Sequence, residues 1–141
     1  MMGSGAAFSA KEFKEYRHID VVNGVKVLVR VTSDNASQNT PMFSHTPNTI
    51  YARVNQCGDV VQYTVYRNNK KVKDIDWSHN HGKYKTGEIH VQEYNKTRMT
   101  EARDPTVEER ELAEILMKKN YGEKPWVKKR REMKEDTSTT Q

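Results

Sequence analysis

With a single cysteine, Cys57, in 141 residues, the chain has no internal disulfide framework and no cysteine-based zinc finger. No apolar run approaches the roughly 20 residues of a membrane span. The opening M-M-G-S-G-A-A-F-S-A has neither the basic start nor the long apolar stretch of a signal peptide, and residues 1–10 read as a flexible leader. The expected place of action is therefore the cytoplasm, with no membrane partner. A phosphate-cradling glycine loop is also missing, which argues against a nucleotide-dependent enzyme. Apolar residues make up only 34% and the mean hydropathy is −1.00, so part of the chain lies outside any core. The apolar residues nevertheless fall in alternating runs, and the length suits one modest domain over 11–127.

The net charge of +5 is unevenly spread. Between Lys118 and Asp136 stand eight Lys/Arg against four Asp/Glu, which is +4 and leaves +1 for the rest. Residues 128–141 read as a charged, disordered tail. Such a tail either meets phosphate backbones without sequence preference or stays solvated.

Along the chain, Lys11–Arg17 reads as one or two helical turns with Phe13 and Tyr16 on one side. Ile19–Val31 is a hairpin, because Asn23-Gly24 between β-branched runs supplies the positive φ that a type I′ turn needs at both central positions. Thr32–Asn48 is a long polar loop holding Pro41 and Pro47, either functional or mobile, with Met42, Phe43 and His45 as its candidate anchors. Thr49–Asn55, Val60–Arg67, Lys71–Trp77 and Glu88–Tyr94 form a meander, with tight turns at Gln56–Asp59 and Asn68-Asn69. Cys57 in the first of these turns has no evident base nearby and reads as an inert or half-buried thiol. A helix over Pro105–Lys119 is expected, capped by Asp104, with Val107, Leu112, Ile115 and Leu116 as its apolar stripe and Trp126 and Val127 covering an edge. The fold expected is α+β: a twisted antiparallel sheet, made of the hairpin plus the four-stranded meander, with this C-terminal helix packed on one face.

The chemistry concentrates in Asp74–Tyr94, which holds three of the five histidines. Strand alternation puts Asp74 and Asp76 on one face, with Ile75 and Trp77 on the other. In the partner strand His90, Gln92 and Tyr94 share a face opposite Ile89 and Val91. His90 is thus expected on one surface with Asp74 or Asp76, where a carboxylate raises the ring's pKa. Metal-independent RNA cleavage needs a base, an acid and cations for the phosphate. His90, Asp76, Asp74, His79 and His81 are the candidate acid–base groups, and Arg53, Tyr51, Lys83, Lys85 and Gln92 the candidate substrate contacts; this reading needs no cofactor. A second reading makes Asp74, Asp76, His79, His81 and His90 ligands for Zn²⁺, Mn²⁺ or Fe²⁺ in a hydrolase. A tight site is not expected from their spacing, because Gly82 and the basic loop after it point to mobility.

The runs T-P-N-T-I-Y-A-R-V, V-V-Q-Y-T-V-Y-R-N-N-K-K-V-K-D-I-D-W-S-H-N-H-G and E-I-H-V-Q-E-Y resemble a module found at the ends of bacterial polymorphic toxins and in phage-associated proteins, the predicted ribonucleases of the barnase, EndoU, colicin and RelE-like group. The resemblance covers about residues 46–94 and matches at Asp74, Asp76, His79, Gly82 and His90. It implies a toxin nuclease acting on RNA or another nucleic acid, with a cognate inhibitor protein as partner. The closing element departs from the P-H-x-H of that group, since E-I-H-V-Q places Gln92 where the second histidine stands. That departure carries a further reading: a binding module of a phage or mobile element, acting on nucleic acid or a protein without catalysis.

Overall fold

The computed structural model describes residues 16–30, 39–96 and 98–123. Strands β1 (Tyr16–Val22), β2 (Val25–Arg30), β3 (Thr49–Val54), β4 (Val60–Arg67), β5 (Lys70–Asp76), β6 (His90–Asn95) and β7 (Arg98–Met99) form one sheet in sequence order, followed by helix α1 (Val107–Met117). The fold is α+β, a mostly antiparallel open sheet with the C-terminal helix packed against it. Tight turns set the register: Asn23 and Gly24 have φ of 49° and 79°, and Asn68 and Asn69 have 54° and 67°. The junction of β2 and β3 is parallel, because the 18 residues 31–48 carry the chain back to the starting edge. The short β7 hairpin, which turns through Lys96, was not expected from the sequence.

The apolar face carries Val25, Val27, Ala52, Val54, Tyr63, Ile75, Trp77 and Val91, and α1 covers it with Ala113 and Leu116. Each such aliphatic side chain contributes about 1.5–3 kcal/mol by leaving water. The helix begins later than the sequence reading had it. Thr106 is the cap, in a reciprocal box with Glu109, while Asp104 instead accepts a 2.6 Å hydrogen bond from the Tyr84 hydroxyl. From that start Glu109, Ala113 and Leu116 recur at i, i+4 and i+7 and face the sheet, with Leu112 beside them. Val107 stands two and a half turns from Leu116, on the far side, and is 72% exposed; Ile115 is also exposed, so neither belongs to the stripe.

Further corrections concern the start of the chain and its second face. Tyr16 and Arg17 are strand residues paired with Arg30 and Val29, not helix, because Tyr16 is buried beside Leu28, Tyr51 and Tyr66. The rest of the Lys11–Arg17 reading, together with the leader 1–10, Trp126, Val127 and the tail 128–141, lies outside the described residues. Of the expected anchors of the long connection His45 holds, its amide donating to the Tyr51 hydroxyl at 3.0 Å, while Met42 and Phe43 are exposed and Thr40, Pro41 and Ser44 are buried instead. The Tyr66 hydroxyl donates to the Pro41 carbonyl, Thr40 and Thr64 share a hydroxyl contact of 2.7 Å, and the Ser44 amide reaches Asn69 at 3.1 Å. The described residues of this connection thus bond to Thr64, Tyr66 and Asn69 on one part of the sheet. Cys57 is exposed rather than half-buried. Among the described residues no helix is long and apolar enough to cross a membrane.

Candidate functional site at the end of β5 and β6

The antiparallel register lays two polar rows across the second face. Arg53, Gln62, Asp76 and His90 are successive partners across β3–β6, and Tyr51, Thr64, Asp74 and Gln92 form the adjacent row. A buried polar group costs about 1–3 kcal/mol unless bonded, so these rows persist only where partners are found. Arg53 donates to Gln62 at 3.0 Å; Thr64 donates to Asp74, whose second oxygen accepts from the Tyr94 hydroxyl at 2.7 Å. Burial lowers the Arg53 pKa to about 10, against the pull of Asp76, and the side chain stays cationic at neutral pH.

Asp76 ends β5 and shapes the loop after it. Its Oδ1 accepts from the Ser78 amide at 2.7 Å and the Ser78 hydroxyl at 2.8 Å, a side-chain turn that bends the chain out of the strand. His79 Nδ1 lies 3.3 Å from the same oxygen. The backbone then folds on itself, with paired amide–carbonyl bonds between His81 and Tyr84 at 2.7 and 2.9 Å around Gly82, whose φ is 57°. The Gly87 amide on the Trp77 carbonyl and the Thr86 amide on Asn80 Oδ1 close the loop at 2.8 and 2.7 Å. The basic loop is therefore pinned by its own backbone.

The result is a cluster. His90 lies opposite Asp76 and is 1% exposed. The His81 ring stacks on it at 5.3 Å and 10°, Tyr84 stacks at 5.3 Å and 28°, and His79 meets it edge-on at 5.5 Å. One ring nitrogen from each of His79, His81 and His90 lies within 4.8 Å of the others. His90 Nδ1 faces the Glu88 carbonyl at 3.3 Å, and its buried Nε2 has no hydrogen-bond partner among the described residues. Contrary to the expected rise, the His90 pKa is lowered: burial outweighs the Glu88 carbonyl and the Asp76 charge, which both raise it.

Of the sequence candidates, His79, His81, His90 and Asp76 meet. Asp74 is one row away, tied to Thr64 and Tyr94. Gln92 shares that row and donates to the Thr100 carbonyl at 3.1 Å. Arg53 and Tyr51 are buried rather than open to a substrate; Tyr51 lies toward β1, where a cavity of about 390 Å³ is lined by it with Arg17, His18 and Lys26. Lys83 and Lys85 are exposed on the loop, with Lys83 Nζ 5.3 Å from the Tyr84 ring centre. Sequence reasoning missed Tyr84 and the Glu88 carbonyl. An aromatic between two lysines in K-Y-K was the available signal for the first; the second, a backbone group, leaves none.

The chain matches no protein-family model, no curated protein and no solved structure.

Proposed function

We propose that this chain hydrolyses phosphodiesters, with RNA as the substrate class, and that the reaction takes place over the histidine cluster. The observation that carries the reading is the meeting of His79, His81 and His90 within 4.8 Å, beside the exposed Lys83 and Lys85. Hydrolysis needs an activated oxygen, positive charge near the non-bridging oxygens and a proton for the leaving oxygen. The lysines supply charge at the mouth, and the cluster activates the attacking oxygen. The new P–O bond forms as that oxygen loses its proton, and the old P–O bond breaks as the leaving oxygen takes one up. His90 does not touch the substrate, since its Nε2 is buried. His79 is exposed and His81 half-buried, so these two face the reacting group.

Cleavage of single-stranded RNA by the purified full chain is the expected result, with His81→Ala slowing it about 100-fold or more while the folded spectrum is kept. RNA left intact by the wild type, or cut equally well by His79→Ala and His81→Ala, refutes the reading. One observation favours a binding module instead: Gln92 stands where the resemblance expects a second histidine, and its amide is engaged with Thr100. In that case RNA is retained without being cut, and retention falls steeply with salt.

A further inference from the structure

We propose that His79, His81 and His90 together hold one divalent transition-metal ion, Zn²⁺ in the first instance, with a coordination position left open to solvent. Three imidazoles at mutual distances within 4.8 Å are close to the spacing that a single ion imposes. Zinc–nitrogen bonds of about 2.0–2.1 Å put ligand atoms about 3.3 Å apart in a tetrahedral site. Closing that gap takes about 1.5 Å of side-chain movement by the same bond lengths. His79 is exposed and His81 half-buried, so both have room to swing, while His90 is held in the sheet.

The buried ring is the strongest pointer. The Glu88 carbonyl accepts from His90 Nδ1, which leaves the Nε2 lone pair for another partner, and among the described residues it has none. The nearest polar aromatic, Tyr84, commits its hydroxyl to Asp104. An ion between the rings satisfies that lone pair.

The outer contacts fit as well. Metal-bound histidines usually give their second ring nitrogen to a carboxylate or a backbone carbonyl, which fixes tautomer and orientation. Asp76 stands at 3.3 Å from His79 Nδ1, and Glu88 offers its carbonyl to His90 at the same distance. Asp76 thus serves as a positioning residue, and Asp74, occupied by Thr64 and Tyr94, takes no part. Three neutral ligands leave the ion its full double charge, the condition under which a bound water loses its proton near neutral pH. The inference stands on the geometry of the cluster and not on the phosphodiester reading.

The test uses the untagged full chain, stripped with a chelator and titrated with Zn²⁺ and with Co²⁺. One ion per chain is expected, and Co²⁺ gives visible absorption bands of a four- or five-coordinate site. His81→Ala and His79→Ala weaken binding by more than about 100-fold, and Asp76→Asn by about 10–100-fold. His18→Ala, with its ring nitrogen 2.9 Å from the Asp20 carbonyl on β1, leaves binding unchanged. His90→Ala risks the fold, so the two loop variants decide. Substoichiometric binding, or His81→Ala and His79→Ala binding as tightly as wild type, overturns the inference. A chain that binds the ion but cuts no RNA overturns the hydrolase reading alone; one that cuts RNA yet binds no ion overturns the metal site alone.

Discussion

Glu109→Ala removes the carboxylate on which the helix and the sheet meet. That group is 5% exposed and accepts four hydrogen bonds: from Arg103 Nη1 at 2.8 Å and Nη2 at 3.0 Å, from Lys73 Nζ at 2.6 Å, and from the Thr106 amide at 2.8 Å. The last belongs to the capping box, worth about 1 kcal/mol. A charged hydrogen bond contributes about 1.5–3 kcal/mol when desolvated. The discount here is large, because the side chains of Arg103 and Lys73 are 35% and 27% exposed and rehydrate once the carboxylate is gone. Arg103 also keeps Glu93 at 3.2 Å. The expected loss is therefore about 3 kcal/mol, or a melting temperature lower by more than about 10 °C. Glu109→Gln keeps an acceptor for the cap and loses about half as much. Burial alone would raise the Glu109 pKa, but Arg103, Lys73 and the Thr106 amide hold it down at about 2. A depressed folded-state pKa gives stability that is complete above the unfolded value near 4.5 and is lost as pH falls toward 2. Urea unfolding at pH 7 and at pH 3 reads both effects: the gap between wild type and Glu109→Gln is wider at pH 7. Equal stability of wild type and Glu109→Ala at pH 7, or a gap that does not narrow in acid, refutes the reasoning.

The helix register predicts that Leu116→Ala, at a fully buried position, costs about 2–5 kcal/mol in urea unfolding, while Val107→Ala stays within about 0.5 kcal/mol. Equal costs would place the stripe on the other side. Gly58→Ala puts a Cβ 2.2 Å from the Gly122 carbonyl oxygen at a φ of 92°, so it loses more than the roughly 1–2 kcal/mol of strain expected for Gly82→Ala, where nothing lies within 4 Å. Thermal melts of the two variants check the order.

The strands and their turns were legible because period-two alternation and paired positive-φ asparagines leave few alternatives. His90 was readable as sharing a face with Asp74 or Asp76, since strand alternation fixes the face, but only the strand register shows that Asp76 is the one opposite it. The burial of that face was not readable. Alternation marks Tyr51, Arg53, Thr64 and Asp74 as one side of a sheet, and polar residues there look solvent-facing until Thr40 and the His45 amide are seen bonded to Thr64 and Tyr51. The expected direction of the His90 pKa failed for a separate reason: the His81 and Tyr84 rings lie against that ring, and burial outweighs the neighbouring carboxylate. For the helix, Asp104-Pro105 read as the start, and the reciprocal box of Thr106 with Glu109 went unread. Side-chain bonding chose Thr106: its hydroxyl and the Glu109 carboxylate close the box, while Asp104 is taken by the Tyr84 hydroxyl.

What the sequence could not reveal is how two loop histidines come to lie against a buried one, and Asp76 supplies the physical link. One carboxylate oxygen bends the chain through Ser78 and lies against His79, while the residue itself pairs with His90 across the ladder. Strand register therefore places one imidazole, and a side-chain turn from the facing residue brings back a second. The third arrives through the His81–Tyr84 backbone pair, which carries the His81 and Tyr84 rings to His90 together. Because the same residue serves strand pairing and loop direction, the D-x-D positions are not equivalent. Asp74 acts within the sheet, through Thr64 and Tyr94, and its loss is felt as stability. Asp76 stands where the sheet ends, and its loss is felt in the geometry of the cluster.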